Sequence, residues 1–91
     1  MEKSLQLIME LKHRYNIVVS MNNVTYWSKC NIFLVQHEEY SELFNGDFHP
    51  VPDSRGELIE LPKQGDNFIR ITKNGKQHVY AYKKGNLIPV Y

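Results

Sequence analysis

The first fifteen residues, MEKSLQLIMELKHRY, repeat apolar side chains at helical spacing. At about 100° per residue, Leu5, Leu7, Ile8, Met9, Leu11 and Tyr15 share one arc of about 200°, and Glu2, Lys3, Gln6, Glu10, His13 and Arg14 fill the rest. The pattern predicts an amphipathic helix with one buried face. Lys12 falls inside the apolar arc, where its alkyl stem can follow the core edge while the ammonium reaches water. Glu10 and Arg14 stand i, i+4, a spacing that adds a little support to the helix.

From residue 17 the pattern changes to β-branched and aromatic residues. IVVSM, VTYW and CNIFLV read as strand, with Asn22-Asn23 as a tight turn, since Asn tolerates positive φ. Between positions 24 and 34 the even residues are Val, Tyr, Ser, Cys, Ile and Leu. This alternation predicts one long strand, bent near Ser28-Lys29, with Cys30 facing inward as a small buried hydrophobe. Trp27 then shares the odd, exposed face with Thr25 and Phe33.

The stretch EEYSELFNGDFHPVPDSRG interrupts the strands. Residues 38–44 fit one or two helical turns with Tyr40, Leu43 and Phe44 inward, stopped by Asn45-Gly46. Pro50, Pro52 and Gly56 keep the next residues out of regular structure, and long loops are where function or mobility concentrates. Strands resume with ELIEL (57–61), NFIRITK (67–73), QHVYAYK (77–83) and LIPVY (87–91), punctuated by Gln64-Gly65-Asp66, Asn74-Gly75 and Gly85-Asn86.

Asn74-Gly75 is a type I′ signal, because both central residues need positive φ, and it sets a register. Lys73 pairs with Lys76, Ile71 with His78 and Ile69 with Tyr80 on one face, continued by Tyr82. Thr72 pairs with Gln77, Arg70 with Val79 and Phe68 with Ala81 on the other. The first face belongs to the core, since burying Arg70 unpaired would be costly. The expected fold is α+β: an N-terminal amphipathic helix packed on a curved antiparallel sheet of five to six strands, in a single domain over residues 1–91.

Composition narrows the class of protein. Over 91 residues, 42% apolar and 23% charged content is that of an ordinary globular chain rather than a disordered one. Cys30 is the lone cysteine, which excludes an intrachain disulfide and points to a reducing, cytoplasmic setting. The apolar runs at 17–19 and 32–35 are far too short for a membrane span, and the start lacks the apolar core of a signal peptide, so neither membrane insertion nor secretion is expected.

Charge is uneven along the chain. Residues 1–62 carry five Lys/Arg against nine Asp/Glu, and residues 63–91 carry six against Asp66 alone. Lys73 directly opposite Lys76 concentrates that charge at a hairpin tip, where like charges repel unless something relieves them. Arg70, Lys73, Lys76, Lys83 and Lys84 could meet phosphates, with Phe68, Tyr80 or Tyr82 available to stack bases, although the register needs both tyrosines in the core. A nucleic-acid-binding module on the C-terminal basic hairpin is therefore the second reading of function.

Glu57, Arg70, Lys76, His78 and Tyr80 make up the inventory of a small metal-independent ribonuclease or toxin, a third reading that inventory alone does not carry. His37, Glu38, Glu39, His49 and Asp53 match no metal-ligand spacing, and no cofactor-binding loop is present. The first reading is a non-enzymatic binding or regulatory protein. It engages a protein partner, or a second copy, through an exposed sheet face or edge, with Trp27 and Phe33 as anchors.

The C-terminal VYAYKKGNLIPVY is similar over a dozen residues to the end of bacterial Sm-like RNA chaperones, and a helix followed by about five antiparallel strands resembles that architecture. This chain reads SMNNVTYW where the family usually has a glycine in the second strand, and the excursion at 37–56 exceeds a compact Sm core. Ring assembly and uridine binding are accordingly not carried over.

Overall fold

The computed structural model describes residues 2–63 and 65–90; Gln64 of the expected 64–66 turn and Tyr91 of the last expected strand lie outside them. Helix α1 spans Lys3–Tyr15, and Asn16 ends it in the left-handed region at φ 55°, with its N–H donating to the Lys12 carbonyl at 3.1 Å. The expected Glu10–Arg14 pair forms at 2.7 Å. Arg14 also donates to the Asp47 carbonyl, and the Tyr15 hydroxyl donates to the Phe48 carbonyl, which ties the helix end to a distant turn.

Among the described residues seven strands follow: β1 (Val24–Trp27), β2 (Ile32–Gln36), β3 (Ser41–Asn45), β4 (Leu58–Glu60), β5 (Phe68–Lys73), β6 (Lys76–Lys83) and β7 (Asn86–Pro89). They form two antiparallel sheets, β1-β2-β3 and β4-β5-β6-β7, rather than the single sheet of five to six strands expected. The chain crosses toward the second sheet at an isolated bridge, where Ser41 and Gly56 exchange backbone hydrogen bonds at 2.7 and 3.0 Å. A Cβ at Gly56 would collide with the Ile71 side chain and the Thr72 carbonyl, so only glycine lets the chain cross so closely from one sheet to the other.

The layers run helix, three-stranded sheet, four-stranded sheet. Between helix and first sheet lie Leu7, Leu11, Phe33, Val35 and Phe44, with Ile17, Val19, Tyr26 and Phe48 packed around them. Between the sheets lie Ile32, Leu34, Leu43, Val51, Ile59, Ile69, Ile71 and Tyr80. Strand β2 therefore buries Ile32, Phe33, Leu34 and Val35 in succession, odd residues toward the helix and even residues toward the second sheet.

Three segments differ from expectation. The run at 24–34 is a hairpin, not one bent strand: residues 28–31 turn, Asn31 adopts φ 54°, and Trp27 pairs with Ile32. Cys30 consequently sits half-buried in the turn, against the inter-sheet core. Residues 41–45 form a strand rather than helical turns, because β2 offers an edge and both faces of β3 are covered; adjacent Leu43 and Phe44 then point to different cores. Residues 17–20, which have the composition of a strand, are unpaired.

The β5–β6 hairpin has the expected register throughout, with Asn74 and Gly75 at φ 52° and 79°. The next hairpin turns at Lys84-Gly85, with φ 50° and 82°, one residue earlier than the expected Gly85-Asn86.

Candidate protein-interaction face

Alternation in the second sheet decides what the surface offers. Ile59, Ile69, Ile71 and Tyr80 point at the first sheet, so their neighbours Leu58, Phe68, Arg70, Thr72, Val79, Ala81 and Ile88 point the other way. Phe68, Ala81 and Ile88 stand directly opposite one another across β5, β6 and β7 and make one apolar row. Phe68 is 37% exposed and Ile88 45%, with Ala81 half-exposed between them; Val79 lies in the next row, and Leu58, 48% exposed, stands one row further on, opposite Thr72.

Two polar side chains of the neighbouring register row, Arg70 and Glu60, are engaged within the chain. Arg70 meets the Asp66 carboxylate at 3.3 Å, and Gln77 donates to Glu60 at 3.1 Å. Asp66 also accepts from the Phe68 N–H at 3.0 Å, and that bond, ahead of the Arg70 guanidinium, holds its carboxyl below the usual value. Arg70 and Glu60 are thus engaged inside the chain, while Lys83, two residues along β6 from Ala81, stands exposed on the same face.

The residues singled out in the sequence are dispersed. Phe33 is 1% exposed in the helix-side core, tilted against Tyr26 with ring centroids 4.7 Å apart and against Phe48 at 5.9 Å, so it cannot anchor a partner. Trp27 is half-buried on the opposite face of the first sheet, against the inter-sheet core. The turn at 28–31 is what separates them, since it breaks the alternation that had put both on one face.

The basic hairpin relieves its own like-charge pair. Lys73 donates to the Asp53 carbonyl at 2.7 Å and lies 5.5 Å from the Tyr80 ring centroid, while Glu57 accepts from the Gly75 N–H at 3.1 Å beside it. Arg70 is committed to Asp66 on the other face of the sheet, and Tyr80 is core. Of the cations expected to meet phosphates, Lys76, Lys83 and Lys84 are exposed, and Lys83 and Lys84 stand at the opposite end of β6 from Lys76.

The ribonuclease inventory is split in the same way. Lys76, His78 and Tyr80 share the inward parity of β6, Arg70 faces outward, and Glu57 is occupied at the hairpin tip, so among the described residues no cleft collects the set. Among the described residues no three His, Cys, Asp or Glu side chains gather where one ion could be held. His37 instead meets Glu42 at 3.7 Å, and Arg55 approaches the same carboxylate at 3.5 Å while covering the Tyr40 ring at 4.3 Å. Burial pushes the His37 pKa down, with the Glu42 carboxylate opposing and Arg55 adding to that shift.

The outward row is not evident from the sequence pattern, in which Phe68 reads equally as a base-stacking group and Ile88 as one residue of a strand. The signal was available in the hairpin register, which already set Phe68 opposite Ala81 on the face away from the core. The chain is α+β, with a helix on a three-stranded sheet and a second, four-stranded sheet whose outer face no other element covers among the described residues. Comparison with family models, with characterised proteins and with solved structures finds no match to this chain. Among the described residues no helix is long and apolar enough to cross a membrane.

Proposed function

We propose that this chain is a small non-enzymatic binding protein that docks another protein on the outer face of the β4–β7 sheet, as an accessory or regulatory factor of a reducing, cytoplasmic compartment. The observation that carries the reading is the contiguous row Phe68–Ala81–Ile88, with Val79 in the next row, on a face that no other element covers among the described residues. An apolar centre within a polar rim is the anatomy of a protein interface, whereas a nucleic-acid site needs unpaired cations around its rings. The internal pairing of Arg70 and Lys73 removes two of the cations on which the nucleic-acid alternative relied.

The test is a double substitution, Phe68→Glu with Ile88→Glu, compared with wild type by affinity capture from cell extract and by sedimentation of the purified protein. The double variant is expected to lose the bound protein or the self-association that wild type shows, with little dependence on salt. Capture and sedimentation identical in the two proteins overturn the reading. Binding of single-stranded RNA that weakens steeply with salt and is lost on Lys76→Glu would establish the alternative instead.

A further inference from the structure

Residues 17–20, Ile-Val-Val-Ser, have the composition and the alternation of a β-strand and no strand to pair with. Ile17 and Val19 turn inward onto the helix-side core, and Val18 turns out and is 76% exposed. Ser20 is extended, at φ −101° and ψ 165°. Among the described residues the N–H groups of Val18, Val19 and Ser20 and the carbonyls of Ile17, Val18 and Val19 form no backbone hydrogen bond; the segment is held by its ends, where Ile17 donates to the Leu11 carbonyl and Ser20 accepts from Asn23. Backbone groups of a strand-like segment left in this state are a template for a further strand.

The surface beside this segment has a defined chemistry. Ile8 and Met9 of α1 with Ile17, Val18 and Val19 form an open apolar groove of about 390 Å³, and its two titratable lining groups are Lys12 and His13. Met9 is 55% exposed, since the apolar arc of the helix is wider than the sheet beneath it can cover. No carboxylate lines the groove, and neither Lys12 nor His13 has an ion-pair partner among the described residues.

We infer that residues 17–20 are a β-strand-addition site that takes an extended segment of another protein, one carrying alternating apolar side chains and a carboxylate. The main chain of the incoming segment hydrogen-bonds to the backbone groups that alternate residues of 17–20 turn toward the groove, every second side chain enters the groove against Met9 and Val18, and the carboxylate meets Lys12. Main-chain pairing supplies affinity for any extended segment, and the groove with its cationic rim supplies the selection. The site lies on the helix side of the molecule, apart from the β4–β7 face, and does not depend on that face being used.

The experiment is selection of a phage-displayed library of random linear peptides on the folded wild-type protein, counter-selected on Met9→Asp. A recovered peptide is then synthesised in three forms, unmodified, with alternate residues N-methylated, and with its acidic residue replaced by Lys, and each is titrated into isotopically labelled protein. The unmodified peptide is expected to shift the amide signals of Val18, Val19 and Ser20 and to slow hydrogen exchange at the alternate amides that face the groove. N-methylation along the pairing edge is expected to abolish binding, and the Lys replacement to weaken it about tenfold. Failure to recover any peptide that distinguishes wild type from Met9→Asp overturns the inference, as does an N-methylated peptide that binds equally well. Phe68→Glu with Ile88→Glu is expected to bind the peptide as wild type does, so that a failure of the sheet-face reading leaves this result standing.

Discussion

The two sheets are built from similar strands and differ in what covers them. The three-stranded sheet has the helix on one side and the second sheet on the other, so four successive residues of β2 are buried. The four-stranded sheet has a cover on one side only, and β5 reads exposed, buried, half-buried, buried from Phe68 to Ile71. One sheet is therefore structural throughout, and the other spends half its side chains on a surface. Strand composition alone does not distinguish the two sheets; the number of covered faces does.

The sharpest way to break this comparison is to remove the same ring from each sheet. Phe33→Ala empties a site between helix and sheet and is expected to cost about 3–5 kcal/mol, enough to leave a domain of this size largely unfolded. Phe68→Ala removes a ring that is 37% exposed and is expected to cost about 1 kcal/mol or less. Urea denaturation of the two variants measures the difference, and equal losses would mean that the outer face is covered in solution.

The junction between the sheets comes next. Ser54, 1% exposed, accepts from the Leu43 N–H at 2.9 Å and donates to the Leu43 carbonyl at 3.3 Å. Ser54→Ala leaves that carbonyl its bond from the Val51 N–H but orphans the buried Leu43 N–H, for an expected loss of about 1–3 kcal/mol. A denaturation midpoint unchanged in Ser54→Ala would show that water replaces the hydroxyl.

The smallest effect is a pH dependence. Burial favours neutral His37 in the folded protein, so its folded pKa lies below the ordinary value of 6.5. As pH falls through that ordinary value the unfolded chain binds a proton first, and stability declines until the pH passes the lower folded value, below which the contribution is constant. Above the ordinary value the group contributes no slope. His37→Asn is expected to remove this part of the decline, read from denaturation midpoints on both sides of neutrality; an unaltered profile would assign the decline to other groups.

Sequence alone determined the local features whose cause is local. The 3.6-residue spacing in residues 3–15 yields the helix, Asn16 and Asn74-Gly75 supply the positive φ that ends one element and reverses another, and the hairpin register follows from that turn. Tertiary structure decided the rest, because it depends on covering. Leu43 beside Phe44 fits a helix or a two-faced strand equally well until β2 offers an edge, and Phe33 reads as exposed until a turn at 28–31 reverses the parity of its strand. Residues 17–20 carry every local mark of a strand and remain unpaired, since pairing needs a second chain segment at hydrogen-bonding distance and residues 18–20 are given none within the described chain.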